Sequence, residues 1–201
     1  MHQINLRILA ILSSLLLIGC IGAEPEPEPS PFNGHEWNGA NPAPLFTLES
    51  MNGSLWSLEE ERGKTIVLAF TYSRCYSTCP VISHSLSAAH SQLTPEEKEN
   101  ISFVSVTIDP WHDSPTVLLN WTETNNFTWT HLTGSPDAVV PVLNEFGVAP
   151  VSFEDQSEEG YGFDHTQPTY MIDINGNVRV MWDEPDIVID LFLEDLRLVA
   201  E

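Results

Sequence analysis

Residues 65–80 read TIVLAFTYSRCYSTCP, and this stretch decides the fold. Thr65–Tyr72 is a nearly continuous apolar, β-branched run, the composition of a central strand buried on both faces. The two cysteines, Cys75 and Cys79, follow at once. Pro80 then stands at a helix N1 position, where its missing N–H costs nothing. Val81 to Leu93 reads as a helix with Ile82, Leu86, Ala89 and Leu93 on one stripe.

A dithiol directly after a central strand and opening a helix is the thioredoxin arrangement. The flanking segments agree with it. Upstream, Leu45–Leu48 and Leu55–Leu58 flank the turn pair Asn52-Gly53 and predict a β-hairpin. Downstream, Ile101–Ile108 reads as a second buried strand. Ser114-Pro115 caps a helix running to about Thr124, and Thr130–Thr133 reads as a short strand. Ser135-Pro136 starts a further helix that Gly147 stops after Phe146. Residues 150–164 form an acidic loop, and Thr169–Ile174 with Val178–Trp182 form a hairpin around Asn175-Gly176. Asp186 is expected to cap a last helix with Val188, Leu191, Phe192, Asp195 and Val199, or a neighbouring register, facing inward. The expected class is α/β: a thioredoxin-like fold with an N-terminal β-hairpin, a mixed central sheet and flanking helices. Pro168-Thr169 resembles the proline that faces the dithiol in that fold, with a cis bond expected before it.

The residues before the domain divide into two pieces. Arg7 followed by the apolar run Ile8–Ile18 has the form of a signal peptide, too short for a membrane span of about 20 residues. Leu17-Ile18-Gly19-Cys20 resembles a lipobox, in which Cys20 becomes the lipidated N-terminus; an uncleaved anchor is the alternative. Residues 23–31, AEPEPEPSP, alternate proline with acid and predict an extended spacer. The expected organisation is a signal peptide at 1–19, a tether at 20–41 and a thioredoxin-like domain at 42–201. Both readings of Cys20 place the domain outside the cytoplasm, anchored to the cell membrane.

Composition narrows the function. The 201 residues carry 29 acidic against 7 basic side chains, a net charge of -22, which excludes a nucleic-acid partner in need of clustered Lys and Arg. The acidic surface suits solubility in salty surroundings, or ordinary solvation. Sequons at Asn52, Asn100, Asn120 and Asn126 fit an exported protein.

With Cys20 set apart, Cys75 and Cys79 are the cysteines of the folded part. Four positions apart, they close too small a loop for a disulfide to add much entropic stability. The pair therefore reads as a reactive dithiol or as metal ligands. A helix N-terminus and the neighbouring Arg74 favour the thiolate, the form that binds soft ions such as Cu(I). The C-x-x-x-C spacing lets two thiolates converge on one ion, and it still permits a Cys75–Cys79 disulfide in the oxidised form. Of seven histidines, His165 lies between the acidic loop and the hairpin strand, on the approach that runs beside the dithiol. Asp164 could orient it. His84 and His90 read as solvent-facing, and His112 as an accessory ligand.

The order Phe-Thr-Tyr-x-x-Cys-x-x-x-Cys-Pro at 70–80 resembles the signature of the Sco/SenC family, copper-binding assembly factors of cytochrome c oxidase. Thr107-Ile108-Asp109-Pro110-Trp111-His112-Asp113-Ser114-Pro115 resembles the family's block after the second core strand. Asp164-His165-Thr166, followed by Tyr170-Met171-Ile172-Asp173 and Gly176, resembles a third block. The resemblance spans about residues 44–198 and implies copper ligation by Cys75, Cys79 and His165. Asp109 and Asp113 fall near the metal loop, either as accessory groups or as braces of the turn.

The resemblance implies a copper chaperone, a binding and transfer protein rather than an enzyme. Its cargo is Cu(I) or Cu(II), and its partner is the copper-accepting subunit of a membrane respiratory oxidase. A thiol–disulfide oxidoreductase that reduces the CuA cysteines, with Cys75 attacking, is the alternative. A peroxidase-like or redox-sensing role is a third reading, without a dedicated arginine and threonine constellation around Cys75.

Overall fold

The computed structural model describes residues 29–37, 41–75, 78–148, 168–183 and 187–201. Its strands are β1 (His35–Glu36), β2 (Thr47–Ser50), β3 (Leu55–Ser57), β4 (Thr65–Thr71), β5 (Ile101–Thr107), β6 (Thr130–Thr133), β7 (Thr169–Ile172) and β8 (Val178–Trp182). Its helices are α1 (Thr78–Ser91), α2 (Pro95–Asn100), α3 (Pro115–Asn125), α4 (Pro136–Glu145) and α5 (Ile189–Val199). They build one sheet in the order β1-β8-β7-β4-β5-β6-β2-β3. β5 runs parallel to β4 and β6, and the other pairs are antiparallel.

β4 is buried along its whole length between β5 and β7. Its period of two divides the core. Ile66, Leu68 and Phe70 join Val104, Val106 and the α4 residues Val139, Val142 and Leu143. Val67 and Ala69 face Ile82, Leu86 and Ala89 of α1 and Phe192, Leu193 and Leu196 of α5. Helices therefore cover both faces, as expected of a mixed thioredoxin-like sheet. Each Leu or Ile side chain so buried contributes about 1.5–3 kcal/mol.

The β2–β3 hairpin forms as expected, with Gly53 at φ 79° in its turn, a conformation that favours a residue without Cβ. Ser114 caps α3 by accepting from the Val117 N–H. α2 is an addition to the expected elements: Thr94 and Glu97 form a reciprocal capping box ahead of β5.

Four expectations are corrected. α1 begins at Thr78 and ends at Ser91, so Pro80 is its third residue and Cys75 lies before the helix. The hairpin strand β7 ends at Ile172, short of Ile174. The cap position of α5 is Val188, not Asp186, and among the described residues no side chain caps the helix. Val188 and Leu191 are 55% and 37% exposed, and the inward face is Phe192, Leu193, Asp195, Leu196 and Val199. That register is set by Asp195, whose buried carboxylate requires partners.

The fourth correction concerns the tether. The chain divides into two units, Met1–Ser30 and Pro31–Glu201, so residues 31–37 belong to the folded unit. β1 pairs with β8. Asp195 Oδ1 accepts from the Asn33 N–H at 2.8 Å and from its amide at 3.0 Å. Oδ2 accepts from the Gly34 N–H at 2.9 Å and from Trp182 Nε1 at 3.1 Å. A Cβ on Gly34 would lie 2.7 Å from Trp182 Nε1, so only glycine lets the segment approach this closely. The signal peptide, Cys20, the acidic loop at 150–164 and the Gln167–Pro168 bond lie outside the described residues. Among the described residues no helix is long and apolar enough to cross a membrane, and no peptide bond is cis.

Candidate metal centre

The centre forms where β4 and β5 end side by side. Ile108 donates its N–H to Thr71 O at 2.9 Å, so both strands release their loops at one level. Tyr72 continues the alternation of Ile66, Leu68 and Phe70 and is buried on the same face. The chain then turns, with the Cys75 N–H directed at Tyr72 O at 3.4 Å, and enters α1.

Cys75 and Cys79 are reduced thiols, not joined in a disulfide, and are 8% and 1% exposed. The Cys79 N–H donates to Cys75 Sγ at 3.2 Å. The sulfur of Cys75 thus takes the place of a capping oxygen at the first turn of α1, where unpaired N–H groups favour negative charge. The two residues meet through this turn rather than across one face of the helix, because Cys75 lies before α1. Arg74 is exposed.

Burial foremost, and then the charges of Cys75, Cys79 and Asp109 and hydrogen bonding with Cys75, push the Tyr72 phenol well above the ordinary range. The aspartate block braces the same loop. Asp113 accepts from the Ser73 N–H at 3.1 Å, from Ser73 Oγ at 2.5 Å and from Thr107 Oγ1 at 2.6 Å. Its own N–H bonds Asp109 O at 2.9 Å, and its carbonyl accepts from Thr133 Oγ1 at 2.5 Å. Burial raises the Asp113 pKa, against the opposing effect of the Ser73 and Thr107 hydrogen bonds. Asp109, fully buried, donates its backbone N–H to Thr107 Oγ1 at 3.0 Å, and its carboxylate holds His112 Nδ1 at 2.9 Å. In the described residues both aspartates act as braces of the turn.

His165 and Asp164 lie outside the described residues. Among the described residues no group of three or more His, Cys, Asp and Glu is placed to hold a metal ion. The donor set present, two adjacent buried thiols, fits a soft ion and leaves at least one coordination position for a further ligand. His84 is exposed as expected. His90 is not solvent-facing: it is half-buried, its ring 5.0 Å from Phe103, and Nδ1 lies 2.9 Å from Thr128 Oγ1.

Tyr72 and Thr107 lie inside the quoted motifs but were given no role of their own, and Ser73 and Thr133 were not singled out at all. Ser73 and Asp113 are 40 positions apart, and no local pattern joins them.

A model of the SCO1/SenC family matches residues 37–200. An SCO2-like protein of Rickettsia prowazekii is 29% identical over 133 residues, 65% of this chain and 64% of the relative. The chain thus spans just under two thirds of that relative's length. A protein of Stutzerimonas stutzeri described as copper-binding is 24% identical over 136 residues, 68% of this chain and 66% of the relative. The solution structure of apo Sco1 from Thermus thermophilus superposes with a TM-score of 0.73 at 27% identity, covering 84% of this chain and 97% of that one.

Proposed function

The chain belongs to the SCO1/SenC family, and on that premise we propose that it is an extracytoplasmic copper chaperone. It is tethered to a membrane through Cys20, holds one copper ion on Cys75, Cys79 and His165, and delivers the ion to the CuA site of a membrane respiratory oxidase. The observation that carries this reading is the sulfur pair: two reduced thiols, shielded from water and linked by the 3.2 Å contact from the Cys79 N–H to Cys75 Sγ. The relative described as copper-binding supports the choice of ion.

Copper is the cargo here. Two thiolates and one imidazole make a three-coordinate site for Cu(I), and the same set accepts Cu(II). Transfer proceeds by ligand exchange: a thiolate of the acceptor binds the ion while a ligand of this chain leaves, and the copper keeps its oxidation state. Asp113 and Asp109 hold the loop in place during exchange. The lower burial of Cys75 makes it the sulfur an incoming thiol meets first, which also supports a second activity, thiol–disulfide exchange on the acceptor's cysteines.

Titration of the reduced chain with Cu(I) and Cu(II) tests the reading. One ion per chain and a sulfur-to-copper charge-transfer band with Cu(II) are expected. A reduced chain that takes up no copper rules it out.

A further inference from the structure

Away from the sulfurs, at the C-terminal end of α4, the surface opens into a cavity of about 420 Å³. That volume lies in the range of small-molecule sites. Trp37, Phe146 and Tyr170 line it with aromatic rings, and Asn41, Asn144 and Glu145 add polar groups. None of the described residues of the cysteine loop or of the aspartate block takes part. The Trp37 and Tyr170 rings stand 6.2 Å apart at 85°, so a group in the corner between them meets π surface. Phe146 adds a third ring, 5.5 Å from Tyr170. These walls are fixed before any ligand arrives. The Trp37 N–H donates to Arg179 O at 2.9 Å, and the Tyr170 hydroxyl donates to Phe146 O at 2.7 Å.

The charge around the cavity has one sign. Glu145 supplies a carboxylate, and the C-terminal end of α4 adds partial negative charge. Among the described residues that line the cavity, none is basic. Aromatic rings beside negative charge suit an organic cation, which gains from the ring quadrupole and sheds its water more readily than a metal ion. A ligand that also carried a carboxylate or a phosphate would bring that group toward Glu145, with no lysine or arginine in the lining to receive it. We propose that this cavity binds a small quaternary-ammonium cation of the choline type, free in solution rather than joined to a phosphate as in a lipid headgroup. The site is independent of the copper reading.

The experiment titrates the full-length chain with choline chloride by calorimetry. Sodium chloride at about 0.15 M screens the general attraction of an acidic surface for any cation. One choline per chain is expected, with a dissociation constant below about 1 mM. Dimethylbutanol, the neutral carbon analogue of choline, has the same shape and should bind at least about tenfold more weakly. Glycerophosphocholine, which presents the cation as a headgroup, should also bind more weakly than choline. Glu145→Gln removes the charge at constant size, and Trp37→Leu removes the ring. Each should weaken choline about fivefold. Glu123→Gln, at an exposed acid on α3, is the control and should leave the affinity within about twofold. Should Trp37→Leu loosen β1, the exposed Glu145 still decides, because its substitution disturbs no packing. No saturable heat with choline, equal affinity for dimethylbutanol, or an equal loss in Glu123→Gln overturns the proposal. Tighter binding of glycerophosphocholine than of choline overturns the free cation as the ligand.

Discussion

Asp113 holds Ser73 by its backbone N–H at 3.1 Å and by its hydroxyl at 2.5 Å, across 40 positions of sequence. The loop after β5 thereby sets the position of the loop that carries the cysteines. The carboxylate is buried, so its bonds are shielded from competing water.

Asp113→Ala should therefore leave the Ser73 N–H and the Thr107 hydroxyl without an acceptor. The expected loss is about 3 kcal/mol, from unsatisfied buried groups, read as a lower denaturant midpoint at unchanged slope. The same variant should speed alkylation of the free thiols, because the loop is no longer clamped. A midpoint equal to that of the parent would contradict the brace.

Asp195 makes a second long-range clamp, on the N-terminal segment. Asp195→Ala removes the acceptor of the Asn33 and Gly34 N–H groups and of Trp182 Nε1. Amide exchange should accelerate at Asn33, Gly34 and Trp37, the last of which donates to Arg179 O in the β1–β8 pairing. Stability should fall by about 2–4 kcal/mol. Unchanged protection at these amides would show that β1 is held by other means.

His131 predicts the acid side of the stability profile. It is buried among Trp121, Phe127 and Trp129, with Nδ1 3.0 Å from Thr122 Oγ1 and no partner at Nε2 among the described residues. Burial lowers its pKa from 6.5 to about 4. The unfolded chain then binds the proton more readily, so stability is full above pH 6.5 and falls as pH drops toward 4. Between pH 7 and pH 5 the expected loss from this group is about 2 kcal/mol. Asp113 works in the opposite sense, since its raised pKa means that its ionisation weakens the fold as pH rises. Comparing His131→Leu with the parent isolates the histidine: the variant should lose less stability on acidification. Equal pH slopes would assign the acid sensitivity elsewhere.

The copper reading makes its own demand on residues distant in the chain. His165→Ala should lower copper affinity at least tenfold while thiol–disulfide exchange largely persists. Cys75→Ser should lose both. Copper held as tightly in His165→Ala as in the parent would remove this imidazole from the ligand set.

The central part of the fold was legible because it rests on local periodicity. The nearly continuous apolar run at 65–71 gave β4, the stripe of Ile82, Leu86 and Ala89 gave the buried side of α1, and Asn52-Gly53 gave the hairpin turn. The errors fall where a nonlocal contact overrode a local preference. Asp186 looked like a helix cap, but α5 takes the register that brings Asp195 to Asn33, Gly34 and Trp182. Residues 32–37 looked like spacer, since a two-residue strand has no period to read and gains its pairing only from β8.

By itself the sequence determined the pairing of chemistry with place: two cysteines at the end of a buried strand and the start of a helix, in an acidic chain. Hydrophobic periodicity and residue type are properties of neighbouring positions, so they survive in one dimension. The tertiary structure alone decided what holds the cysteine loop, namely the clamp from Asp113 to Ser73 and the role of Asp109 as a brace. Those are hydrogen bonds between buried groups, which exist only once the strands have brought their ends together and excluded water.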